Sequence, residues 1–200
     1  ETLVQHLGAL EVQYYAAQGE TDDHCYLWIP ASSYLFTGDL VIWVSPNCGN
    51  PQKVQRYPVE WAAALERMAS LGAEWLFPGH GYVVQGQEAV HTILTDTARY
   101  LRVIIDQVLA RMNTGQTPEE IFHAVEPDPE LMTRPYLQAR YDHPKFIVRN
   151  LLLGCETFGE LMDGAPGISR TLLSSRLELL EQYGIVQRLP TSHGSRYLLT

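Results

Sequence analysis

Apolar and polar positions change their period several times along the chain, and the changes divide it into elements. Residues 10–17 (LEVQYYAA) alternate loosely and are rich in β-formers, as are 25–30 (CYLWIP) and 34–37 (YLFT). These spacings predict strands, with Ala31, Ser32 and Ser33 as a turn between the second and third. Residues 41–44 (VIWV) extend or follow the last of them. Residues 45–58 (SPNCGNPQKVQRYP) are polar and turn-rich, which predicts a long loop. Residues 59–71 place apolar side chains near i, i+3, i+4 and i+7, so an amphipathic helix follows, with Gly72 where a C-terminal glycine belongs. Residues 75–77 (WLF) read as a short buried strand running into Pro78-Gly79-His80-Gly81. A strand, loop, helix, strand order predicts an α/β layer.

A long apolar stripe then runs through residues 87–113, from Val90, Ile93 and Leu94 to Leu101, Ile104, Ile105 and Val108, and predicts one long helix. Thr117-Pro118-Glu119-Glu120 opens another, with Thr117 as N-cap, Pro118 at the first helical position and Glu120 closing a capping box. Residues 128–141 are irregular and proline-bearing. Beyond His143 the elements shorten: helices over 145–153, 157–164 and 169–183, the last ending before Gly184. Two strand-like pieces, 185–189 and 196–199, flank a turn-rich tip at 190–195.

The charge follows the same division. The 200 residues carry a net charge of −9. Residues 1–143 hold 18 acidic and 8 basic side chains, whereas residues 144–200 hold 5 acidic and 6 basic. That balance argues against nucleic-acid binding by the front part and leaves the tail open to it. Cys25, Cys48 and Cys155 are an odd number at wide spacing, which is no disulfide framework and fits a reducing cytoplasm. No apolar run approaches a membrane span. The start at Glu1 reads as the inside of a larger product or a trimmed chain.

Three metal-type residues sit at expected strand ends: His24 in GETDDH, Asp39 in FTGDL and His80 in PGHG. Imidazole and carboxylate suit zinc or a similar divalent ion, and strand ends at one sheet edge are where α/β folds bind ligands. Taken singly, each is equally a turn or capping residue. The remaining histidines, His6, His91, His123, His143 and His193, lack such a setting and read as surface or core residues.

Taken together, GETDDH, FTGDL, a helix and PGHG resemble the C-terminal half of the metallo-β-lactamase fold. Residues 45–58 and the helix after them resemble its alkyl sulfatase-related branch. The resemblance runs from about residue 10 to about residue 142. It implies that His24 and His80 each serve one of two metals, that Asp39 bridges them, and that a metal-bound hydroxide attacks an ester. The family draws its other ligands from an HxHxDH motif, which these 200 residues do not contain. The implied hydrolase is therefore incomplete, with no catalytic residue assigned, zinc or another divalent ion weakly bound or absent, and a small ester substrate only where the other half is present. The sheet face that the first half would cover is expected to be open, which favours a homo-oligomer.

In the tail, Leu173, Leu177 and Leu180 share one helix face, which leaves Arg170, Thr171, Ser174 and Ser175 on the outer row, with Ser169 as N-cap at the DNA-facing end. Small hydroxyl side chains and an arginine at a helix N-terminus suit the DNA major groove. His193 and Arg196 lie by the hairpin tip, where a wing would meet phosphate or the minor groove. An ordinary solvated helix and hairpin would show the same spacing. Residues 147–188, and within them PGISRTLLSSRLELLEQYGIV, closely resemble the HxlR-type winged helix-turn-helix regulators, which bind duplex DNA as dimers. The two resemblances meet in residues 143–150 (HPKFIVRN).

The sequence thus predicts an α/β half-domain of metallo-β-lactamase type over residues 1–90, a helical extension over 91–143 and an α+β winged helix over 144–200. The functional expectation is an incomplete metal-dependent hydrolase module fused to a DNA-binding domain. The other expectation is a transcription regulator whose front half senses or oligomerises without catalysis.

Overall fold

A computed structural model describes residues 2–48, 56–154, 170–184, 186–191 and 194–199. Strands β1 (Thr2–Leu7), β2 (Leu10–Ala16), β3 (Cys25–Ile29), β4 (Tyr34–Gly38), β5 (Trp75–Pro78) and β6 (Val84–Gln85) lie side by side in that order. Every pairing is antiparallel except β4 with β5, where helix α1 (Pro58–Ala69) makes the crossover. The layer is therefore a mixed sheet with a single parallel pair. Antiparallel neighbours need only tight connections, and a parallel pair needs a crossover of a dozen residues or more. A short 3-10 turn, Pro30–Ser32, joins β3 to β4 with Ser33 in the left-handed region. Strand β1 and the two-residue β6 carry no clear alternation in sequence, and neither is foreseen by the hydrophobic pattern.

Paired residues project to the same side of a sheet, so the register sorts its two faces. Tyr26, Trp28, Leu35 and Leu76 face the helices and are buried. Against them pack α1 and the 27-residue α2 (Gln87–Asn113), about 40 Å long. Trp61, Leu65 and Met68 of α1 and Leu94, Leu101 and Ile104 of α2 are fully buried between the layers. Each such side chain contributes roughly 1.5–3 kcal/mol by leaving water. The opposite face carries Leu27, Tyr34, Phe36, Trp75 and Phe77, all half-buried, with the four aromatic rings stacked or edge-on to one another, and no helix covers it among the described residues.

Helix α3 (Pro118–Ala124) begins with the foreseen capping box: Glu120 N donates to Thr117 Oγ1 at 3.3 Å and Thr117 N to Glu120 Oε2 at 2.8 Å. Helix α4 (Lys145–Gly154) lies on α2 and α3, and its Ile147 and Val148 belong to the front core. Asn150 Nδ2 donates to the carbonyl of Cys48. So α4 completes the core of the front part, although its sequence opens the stretch read as winged helix. Helix α5 (Arg170–Gln182) follows, with Leu173 and Leu177 buried and Gly184 in the left-handed region beyond its end. Strands β7 (Val186–Thr191) and β8 (Gly194–Leu199) form a hairpin paired as far as Thr191 with Gly194. The ladder is longer than the sequence suggests. Pro190 sits within it because a two-stranded ribbon leaves one side of every strand unpaired. The helix expected over 157–164 and Cys155 lie outside the described residues. Residues 41–44, expected to continue a strand, form an irregular turn in which Trp43 has φ 57°.

Candidate functional site

The three metal-type residues meet at one edge of the sheet, and the topology explains how. His24 precedes β3, Asp39 follows β4 and His80 follows β5. Because β3 is antiparallel to β4, its start lies beside the end of β4, and the parallel β5 ends there too. The gathering point is thus the start of one strand and the ends of two, not three strand ends as the pattern suggested.

His80 Nε2 stands 3.4 Å from Asp39 Oδ1. His24 Nε2 lies 3.3 Å from the carbonyl oxygen of Thr37. Two glycines make the approach possible. A Cβ on Gly38 would come within 2.8 Å of His24 Nε2, and one on Gly79 within 2.1 Å of Asp39 Oδ1. His80 is 72% exposed and Asp39 39%, so both are open to solvent at the rim.

Glu20, the first acid of GETDDH, is a member the motif reading passes over. Its Oε1 accepts from Asn47 Nδ2 at 2.7 Å and pairs with Arg56 Nη2 at 3.3 Å, and Arg56 also reaches the Glu20 carbonyl. Burial pushes its carboxyl above the ordinary carboxylate value. Arg56 pulls it down, and the charge of Asp39 pushes it up again. The signal for it was an acid beside a glycine in a metal-type motif, but Asn47 and Arg56 come from a loop that only folding brings close.

Two imidazoles and one carboxylate suit a divalent ion by chemistry, and the glycines leave them room. By number they form one edge of a metal shell. Among the described residues no three His, Cys, Asp or Glu side chains gather in a geometry that would hold an ion. A zinc site takes three or four protein ligands.

At the other end of the chain, Thr171, Ser174 and Ser175 lie on the exposed side of α5, and Ser175 Oγ donates to the Thr171 carbonyl at 3.1 Å. Arg176 and Glu178 are exposed on the same helix. Arg170 opens α5 and Arg196 is in β8. Ser169 and His193 lie outside the described residues.

Comparison with known proteins agrees with this division. Residues 1–80 match the Metallo-beta-lactamase superfamily and residues 143–200 the HxlR-like helix-turn-helix family. The front segment therefore carries a metallo-β-lactamase domain and the tail an HxlR-like helix-turn-helix domain. Within the first family, the similar proteins are alkyl sulfatases. The chain is 30% identical over 159 residues, 77% of its length, to the linear primary-alkylsulfatase of Pseudomonas sp. (strain ATCC 19151), and covers 30% of that protein. It superposes on the stereoselective inverting sec-alkylsulfatase of Pseudomonas sp. with a TM-score of 0.67 and 21% identity, over 92% of this chain and 32% of the enzyme. A double mutant of that sec-alkylsulfatase gives a TM-score of 0.68 at 20% identity. The chain spans about a third of the length of these relatives.

Proposed function

We propose that the front part is one half of a metal-dependent ester hydrolase module, incomplete by itself, and that the tail binds duplex DNA. The observation that carries the first reading is the meeting of His24, Asp39 and His80 at one sheet edge, with His80 Nε2 3.4 Å from Asp39 Oδ1. Zinc or a similar ion, when bound, would supply an acidified water as nucleophile. The chain's part is to present His80 and Asp39 as two donors of its shell, with His24 behind Gly38 and Glu20 restrained by Arg56. Titrating the full chain with Zn2+ is expected to show weak binding that His80→Ala abolishes. Two tightly held ions per chain would refute incompleteness, and binding unchanged in His80→Ala would refute the site.

For the tail, the matching HxlR-like segment and the outward Thr171, Ser174 and Ser175 support a groove-facing α5. With so few cations available, DNA binding is weak and falls steeply with salt. Equal retardation of duplex DNA by the wild type and by an Arg170→Ala, Arg196→Ala double variant would sink this reading.

A further inference from the structure

We infer that Trp43 is a positioning residue for His80: it clamps the loop after β5 from the far side and so fixes the imidazole against Asp39. This rests on the metal-side reading of His80 above. His80 is exposed, so packing around its own ring cannot hold it in place, and its position has to come from the backbone on either side. On one side, Gly79 N donates to the Gly38 carbonyl at 2.8 Å and to that of Val41 at 3.2 Å. On the other, Trp43 Nε1 donates to the Tyr82 carbonyl at 2.8 Å. The indole also lies close against the residue following His80, because a Cβ on Gly81 would stand 2.0 Å from Trp43 Cδ1. Gly81 has φ +96°, which leaves that position to glycine on both counts. The segment 38–43 therefore grips the loop both before and after His80.

Trp43 is itself held. Its φ of 57° is rare for a bulky residue and persists only where surroundings enforce it. The enforcement is visible: the indole meets the Tyr82 ring edge-on at 5.6 Å and the Tyr136 ring edge-on at 6.1 Å. Tyr136 in turn donates its hydroxyl to Asp96 Oδ2 on α2 at 2.6 Å, and Arg134 pairs with the same carboxylate at 3.1 Å. The His80 loop is thereby tied through Trp43 and Tyr136 to the longest helix of the fold.

The test uses the full chain in two measurements. Without metal, 15N relaxation of the 79–82 amides is expected to show order equal to β5 in the wild type and a drop in Trp43→Phe, which keeps a ring and loses the N–H. With Zn2+, the midpoint for shifting the His80 imidazole signals is expected to rise about tenfold in Trp43→Phe, the usual scale for losing an outer support of a ligand, with little change in melting temperature. Gly81→Ala, which pushes the indole off the loop, should act in the same direction and serves if Trp43→Phe does not fold. Unchanged order and an unchanged midpoint in either folded variant would overturn the clamp. If the wild-type His80 signals ignore Zn2+, the metal reading fails, and the relaxation measurement still decides the clamp.

Discussion

At the scale of single residues, the front domain depends on how closely side chains approach backbone near the site. Trp61 is fully buried on α1, and its Nε1 donates to the Leu40 carbonyl at 3.0 Å, next to Asp39. Trp61→Ala would open a cavity and orphan that carbonyl, so a loss of about 3–5 kcal/mol is expected in urea unfolding. Gly79→Ala would set a methyl 2.1 Å from Asp39 Oδ1 and 2.9 Å from the Asp39 backbone nitrogen. Backbone cannot give way as a flexible side chain can. The variant should therefore lower the melting temperature and move the Asp39 amide resonance.

At the scale of elements, α1 and α2 are joined by more than their apolar seam. Arg102 Nε and Nη2 each donate to the Glu66 carboxylate at 2.8 Å, a two-pronged contact between the helices. The Arg102 hydrogen bonds hold the Glu66 carboxyl below its ordinary value of 4.5. A depressed carboxylate contributes stability at pH above its unfolded value, and the contribution fades as pH falls through the folded value. Both side chains are partly exposed, so the pair is worth about 0.5–1 kcal/mol. Glu66→Gln should cost that amount near neutral pH, cost less in high salt, and cost progressively less as the pH falls below 4.5 and through the lower folded value. An undiminished effect in acid would show that packing, not charge, makes the contact.

The long helices were legible element by element. The stripe through α2 and the Thr117 capping box appear in the structure at the residues the spacing indicates, because helix periodicity and caps are local signals. Strand β1 was not legible, since its side chains are exposed on both faces and nothing in burial imposes alternation. The turn at 41–44 reads as a strand in propensity. Tertiary contacts override that preference, with Leu40 and Val41 buried and the Trp43 indole turned onto the His80 loop. The same limit applies to the site. His24, Asp39 and His80 announce themselves by residue type and neighbours, while Glu20 and Trp43 matter through partners distant in sequence.

At the scale of the whole molecule, one face of the sheet has no helix over it among the described residues. Tyr34, Phe36, Trp75 and Phe77 form a continuous aromatic surface there, and Leu3 on the neighbouring hairpin is 56% exposed. Surfaces of this kind associate. Light scattering across a concentration series is expected to show reversible self-association that a Phe36→Ser, Phe77→Ser double variant weakens, and a concentration-independent monomer would contradict this.

The seating of α4 also decides where the polypeptide can be divided. A gene-level cut at residue 143 would take Ile147 and Val148, each 1% exposed, out of a core they share with α2, and would remove the Asn150 contact to Cys48. An apolar trough would be left along α2 and α3. A cut after Gly154 keeps that trough filled, so the shorter fragment should melt without cooperativity and the longer one should melt as a unit. In physical terms the boundary in the packing is displaced by about one helix from the boundary in the sequence, and the HxlR-like segment lends its first helix to its neighbour.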